Sequence, residues 1–230
     1  MNFAEPRVTL VAHTKVVEEE VSHIMPRQDG QKDADYLIEF AGRGCYHSYH
    51  RPNPKTEQHE NYLNRTIFEQ EHGSIAEHAT ATLHFKGVSR AFLAEITRHR
   101  TLSFSVRSQR FVNEGNSKIV RPPAIVEGSD EAQLLNDFNN IAIEFYDTLV
   151  ANLTEGAYLT RKQVREAARA VLPNGTETHI VATGNLRAWI QVLQRRLDPG
   201  ADEEMRQVMQ LALKELQKVS PTLFNPKNLE

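Results

Sequence analysis

Cysteine is nearly missing: the 230 residues contain one, Cys45. That excludes an internal disulfide framework and a cysteine-rich zinc module, and it makes a reducing, cytoplasmic setting the default expectation. Long hydrophobic runs are missing too. No stretch approaches a membrane span, and the start, Met-Asn-Phe-Ala-Glu-Pro-Arg, has no basic residues followed by an apolar run, so neither a membrane partner nor export is expected. Positive charge is not in excess. Lys and Arg number 27 against 30 Asp and Glu, a net charge of -3, which argues against nucleic acid as a partner. No G-x-G-x-x-G, P-loop or G-x-S-x-G occurs, so any dinucleotide must be held by other means.

What is present suffices for a sizeable core, since 40% of the residues are hydrophobic. Val8, Leu10 and Ala12 alternate as in a half-buried strand, and Ala79, Ala81, Leu83 and Phe85 alternate strictly with Thr80, Thr82, His84 and Lys86. Gly87 is expected to break that second strand. Val88, Phe92 and Ile96, with Ser89 as a cap, predict a short helix. Leu134, Phe138, Ile141, Phe145 and Leu149 form the apolar stripe of a long helix from Asp130 to about Leu153. Thr160 and Gln163 read as a capping box opening a helix carried to Pro173. Residues 178–183 suggest a strand. Two further helices follow, one on Leu186, Ile190, Leu193 and Leu197, the other on Met205, Val208, Ala212, Leu216 and Val219. The order predicts an α+β fold, a mixed sheet with long helices and a helical lobe, in a single domain over residues 1–230.

One segment concentrates chemistry. Between Arg98 and Arg110 the chain reads Arg-His-Arg-Thr-Leu-Ser-Phe-Ser-Val-Arg-Ser-Gln-Arg, with four arginines, one histidine and three serines. Glu95 is the only carboxylate in the preceding turn to relieve the repulsion. Something anionic is expected there, because guanidinium presents a planar fork of donors that matches phosphate oxygens. On an extended backbone Ser108 and Arg110 would face together. Ordinary surface ion pairs are the alternative. Asn185 and Arg196 lie close to three helical turns apart with Trp189 between them, which suits a heteroaromatic ligand if Trp189 is not simply core. Arg169 projects from the helix before. His47 with His50, or His72 and His78 with Glu77, lack the spacing of a helical metal site, so no metal is expected. Cys45 reads as a small buried hydrophobe rather than a nucleophile.

Arg98-His99-Arg100, two residues, Ser103, four residues, Ser108, one residue, Arg110 is similar to the signature R-H-R-x2-S-x4-S-x-R of flavin-dependent thymidylate synthases, with all six fixed positions in place. The residues from Phe40 to Tyr46, Pro52 to Lys55, His72 to His78, Ala168 to Pro173 and Thr183 to Trp189 resemble further blocks in family order. This resemblance implies methylation of dUMP to dTMP, with methylenetetrahydrofolate giving the carbon and FAD, reduced by NADPH, giving the hydride. It also implies a homotetramer whose active sites are shared between subunits.

By position, the resemblance implies FAD contacts at Ser74, Arg98, His99, Arg100, Val106, Asn185, Arg187 and Gln191. It implies dUMP contacts at Glu95, Arg98, Ser108, Gln109, Arg110, Arg169 and Arg196, with His72, Glu77 and Ser103 as further active-site positions. Arg196 is the expected catalytic cation, stabilising negative charge on the uracil carbonyl edge. Ser108 reads as a nucleotide-positioning donor. Val106 stands where the family usually has glutamate or glutamine, Arg107 where it has an apolar residue, and Gly200 near an expected histidine. These departures motivate an alternative: a catalytically reduced flavin- or nucleotide-binding protein of the same fold.

Overall fold

In the computed structural model, which describes residues 3–156 and 158–229, strand β1 (Arg7–His13) is followed by helices α1 (Glu18–Val21), α2 (Asp33–Gly44) and α3 (His59–Leu63). Strand β2 (Thr80–Ser89), helix α4 (Arg90–Ile96) and strand β3 (Ser103–Val106) come next. Helices α5 (Asp130–Glu155) and α6 (Arg161–Ala168), strand β4 (Glu177–Asn185) and helices α7 (Leu186–Arg196) and α8 (Glu203–Leu216) complete the chain. The α+β class is as expected. The strands form one sheet in the order β1-β2-β4-β3. Leu186 N–H bonds to the Ala79 carbonyl and the Thr82 and Thr183 hydroxyls meet at 2.9 Å, so β2 and β4 run antiparallel.

Two compact units divide the chain. One, here the α5 unit, comprises Phe85–Arg98, Phe104–Val181 and the stretch ending at Arg7; the other, the α7 unit, comprises Val8–His84, His99–Ser103 and the stretch from Ala182 onward. β2 and β4 contribute residues to each.

In the α7 unit, periodicity and burial agree. Ala79, just before β2, and Ala81 and Leu83 on it are buried, as are Leu186, Ile190 and Leu193 on α7. Trp189 is fully buried and its indole N–H donates to the Ala81 carbonyl at 3.0 Å, which makes it core and settles that alternative. α8 buries Met205, Val208, Met209, Ala212 and Leu216. Cys45 departs from expectation: it is exposed, with its thiol donating to the Ala41 carbonyl one turn back.

The α5 unit holds most of the surprises. Gly87 does not end β2. The strand continues to Ser89 with Gly87 at φ +62°, and a Cβ there would run into the Glu5 carbonyl oxygen, so glycine permits both the backbone twist and the close approach. Ser89 then caps α4 as predicted, accepting from Phe92 N–H at 2.9 Å. α6 opens on the Thr160–Gln163 capping box but ends at Ala168, and a tight turn over Arg169–Val171 replaces its predicted last turn. The stripe on α5 faces outward. Leu134 is 71% exposed, Phe138 52%, Ile141 51% and Phe145 60%, whereas Ala132, Asn139, Ala142 and Tyr146 are buried. Apolar periodicity marks a stripe without saying what covers it. Here two alanines, an amide and a tyrosine take the inner face, where Glu114 N–H bonds to the Tyr146 hydroxyl and Asn139 to the Ser117 carbonyl.

Candidate functional site

The residues singled out in sequence fall into two sets, one in each unit. In the α7 unit the decisive contact joins positions 97 apart. Arg196, the last residue of α7, donates from Nε to Nε2 of His99 at 2.8 Å. His99 is held in turn by the reverse turn after α4, in which Leu102 N–H bonds to the His99 carbonyl at 3.1 Å. Leu102 itself packs where Gly184 leaves room, because a Cβ at 184 would collide with its methyl group.

A second guanidinium in this unit is also placed by a partner. Arg187 donates from Nη1 to Glu77 Oε1 at 2.5 Å, and its Nε lies 3.3 Å from where a Cβ on Gly73 would stand. Arg187 therefore lies flush against the turn spanning Gly73–Glu77, with Glu77 as its ion-pair partner. Asn185 caps α7, its side-chain oxygen accepting from Ala188 N–H at 2.8 Å. His72, Ser74, Arg100, Ser103 and Gln191 are exposed.

In the α5 unit the arginine-rich segment begins at the end of α4, as predicted, where Arg98 pairs with Glu95 at 3.5 Å. The pair is largely exposed, so it contributes little stability. Val106 closes β3. Extended backbone then gives way, against expectation, to a turn in which the N–H groups of Phe111 and Val112 bond to the Ser108 carbonyl at 3.2 and 2.9 Å. The cause is local. The Ser108 hydroxyl accepts from Arg110 N–H at 3.3 Å, a side-chain bond that stabilises the turn. Its own proton remains to donate, and that partner is a donor, so nothing there activates Ser108 as a nucleophile. Gln109 is buried, and the Arg110 guanidinium stands 5.9 Å from the Phe111 ring.

Arg107, which departs from the family pattern, has an anchoring place. Its Nη2 reaches Glu114 Oε2 at 2.8 Å, Ser117 Oγ at 3.0 Å and the Glu177 carbonyl at 3.0 Å, while its own N–H bonds to the His179 carbonyl. Glu114 is fully buried. Sequence reasoning missed Glu114 and a further cation, Arg90. Burial holds the Arg90 guanidinium below its ordinary range; Arg169 and Arg107 act in the same sense, and Glu114 opposes them. Arg90 thus feels two other cations and one carboxylate, and that carboxylate is already engaged by Arg107. Arg90 and Arg169 enter no ion pair among the described residues. A signal existed in the sequence: an arginine at the first position of α4 sits against the helix dipole.

Each unit carries arginines at its helix ends, α4 and α6 in one and α7 in the other, and these mark an α+β protein equipped for anionic ligands. Comparison with known proteins carries this further. A family described as "Thymidylate synthase complementing protein" matches residues 28–222. The chain is 40% identical over 227 residues to a flavin-dependent thymidylate synthase of Mycobacteroides abscessus, covering 95% of this chain and 88% of that protein. It is 43% identical over 203 residues to that of Corynebacterium aurimucosum, covering 86% and 81%. Among solved structures, Thymidylate Synthase X from Helicobacter pylori with FAD and dUMP superposes with a TM-score of 0.71 at 19% identity, over 97% of this chain and 99% of that one. PolB, a UMP/dUMP methylase from Streptomyces cacaoi bound with 5-Br dUMP, gives 0.70 at 21% identity, over 96% and 93%. The chain belongs to the flavin-dependent thymidylate synthase family.

Proposed function

We propose that this chain converts dUMP to dTMP, with methylenetetrahydrofolate as carbon donor and NADPH-reduced FAD as hydride source. The observation that carries the reading is a surplus of positive charge in the α5 unit, where Arg90 faces the charges of Arg107 and Arg169 and the opposing carboxylate, Glu114, is already held by Arg107 at 2.8 Å. Such a surplus calls for an anion of fixed shape, and a nucleotide phosphate is one. Arg169, Arg110 and Ser108 would hold it, Ser108 through the proton its hydroxyl keeps. Glu95, Arg98 and Gln109 would contact the rest of dUMP.

The α7 unit fits FAD by its donor set. Arg100, Arg187, Ser74 and Gln191 offer cationic and neutral donors suited to a pyrophosphate-bearing dinucleotide, and Arg187 is already laid against the Gly73 turn. His99 and Asn185 would complete that set, with His72, Glu77 and Ser103 at its margin, while Arg98 and Val106, of the α5 unit, are FAD contacts by resemblance alone. FAD, when bound, supplies the hydride and takes part in relaying the carbon. Arg196 holds a permanent positive charge against the uracil carbonyl edge, lowering the energy of the electron-rich ring without a covalent adduct.

Active sites shared between copies in a homotetramer agree with the outward apolar stripe of α5, which nothing covers among the described residues. No helix among those residues is long and apolar enough to cross a membrane. The reading is tested by assaying dTMP from dUMP with methylenetetrahydrofolate, NADPH and added FAD. Product dependent on all four supports it; flavin bound without dTMP overturns it in favour of a binding protein.

A further inference from the structure

We propose that His99 is the positioning residue of Arg196: a neutral imidazole, with its proton on Nδ1, accepts the Arg196 Nε–H and sets the direction of the guanidinium. The inference rests on the role proposed above for Arg196.

The chemistry of the contact admits one assignment. Every guanidinium nitrogen is a donor and none gives up its proton in a protein, so across 2.8 Å the Nε2 of His99 must present a lone pair. A ring with a lone pair on Nε2 carries its proton on Nδ1 and is uncharged. Were the ring protonated, two donors and two positive charges would face each other at hydrogen-bond distance.

Both ends of the contact are fixed independently. On the His99 side the backbone is locked by the bond from Leu102, whose side chain is buried. On the other side Leu197 N–H bonds to the Leu193 carbonyl at 2.8 Å, so the helix is still regular where Arg196 leaves it. Between these supports lies a long, rotatable side chain. The bond at Nε assigns one of the five N–H donors and ties the rotation of the guanidinium plane to the His99 ring. A cation meant to meet a flat carbonyl edge works only if its plane is set beforehand.

The test uses full-length protein and two readouts. For activity, His99→Leu removes the acceptor while keeping bulk, and His99→Gln returns a side-chain oxygen near the place of Nε2. With FAD saturating, His99→Leu is expected to lower kcat about 10²-fold, the scale for a misplaced catalytic group, with a smaller change in KM for dUMP. His99→Gln is expected to restore most of that loss. With FAD saturating, adding His99→Leu to Arg196→Ala is expected to lower kcat far less than the same change does in wild type, since the partner it positions is gone. Additive losses, or no recovery in His99→Gln, would overturn the proposal.

The second readout needs no reaction. In protein labelled with nitrogen-15 histidine, the His99 ring should show a protonated Nδ1 and an accepting Nε2 whose shift moves on Arg196→Ala. A protonated Nε2, or signals indifferent to Arg196, would contradict the pairing. If wild type made no dTMP, the proposed function would fall while this spectrum still decided the contact.

Discussion

The guanidinium groups of the two units are treated in opposite ways. In the α7 unit Arg196 is bonded to His99 and Arg187 to Glu77, each by a side chain nearly a hundred or more positions away. In the α5 unit Arg107 takes the buried carboxylate of Glu114, while Arg90 and Arg169 enter no ion pair among the described residues and remain as surplus positive charge. A bonded guanidinium is oriented in advance, whereas a surplus one is charge awaiting a counter-ion. The first arrangement suits a group acting on a reacting ring, the second a group holding a phosphate. Turnover should therefore depend mainly on the α7 unit, and nucleotide affinity on the α5 unit.

Removing the carboxylate that keeps the α5 set tolerable should have the largest effect. Glu114→Ala strands the Arg107 guanidinium without its counter-charge, and breaking such a buried pair costs about 3–5 kcal/mol. Denaturant unfolding should record that loss, and a midpoint equal to wild type would mean Glu114 is not the counter-charge. Next comes Arg196→Ala. A lost electrostatic stabiliser reduces kcat about 10²–10³-fold, and flavin absorbance of the purified variant should be little altered. Unchanged dTMP formation would remove Arg196 from the chemistry.

Arg169→Ala should act on binding instead. Loss of a charge-assisted hydrogen bond is worth about 1.5–3 kcal/mol, so calorimetry should show dUMP affinity falling about 10- to 100-fold. The effect should vanish for deoxyuridine, which lacks the phosphate; an equal loss there would place Arg169 elsewhere on the nucleotide. A smaller gain is expected from Val106→Gln, which restores a polar side chain at the end of β3. One new hydrogen bond contributes about 1 kcal/mol, and flavin titration should show tighter binding. The smallest effect belongs to Cys45→Ser. The thiol is exposed, and such surface changes stay within about 0.5 kcal/mol, so activity should persist; a folded but inactive variant would put a thiol nucleophile in the α7 unit.

Legibility in sequence followed the same division. β2, β4, α7 and α8 could be read because each buries the face its periodicity marks, and Ser89, Thr160 and the helix end before Arg98 announced themselves by local chemistry. The stripe of α5 was equally periodic, yet its direction is set by what packs against it. Gly87 looks like a stop in sequence because its service to Glu5 lies more than eighty positions away. Motif resemblance located the arginines without their partners. Neither Arg196 with His99 nor Arg107 with Glu114 follows from spacing, since such pairs are made by the fold.

The most direct measurement is a dUMP titration of dTMP formation by wild type, Arg196→Ala and Arg169→Ala under one set of conditions. The account predicts that Arg196→Ala loses kcat with KM nearly kept, and that Arg169→Ala raises KM with kcat nearly kept. Both variants losing the same parameter would contradict it.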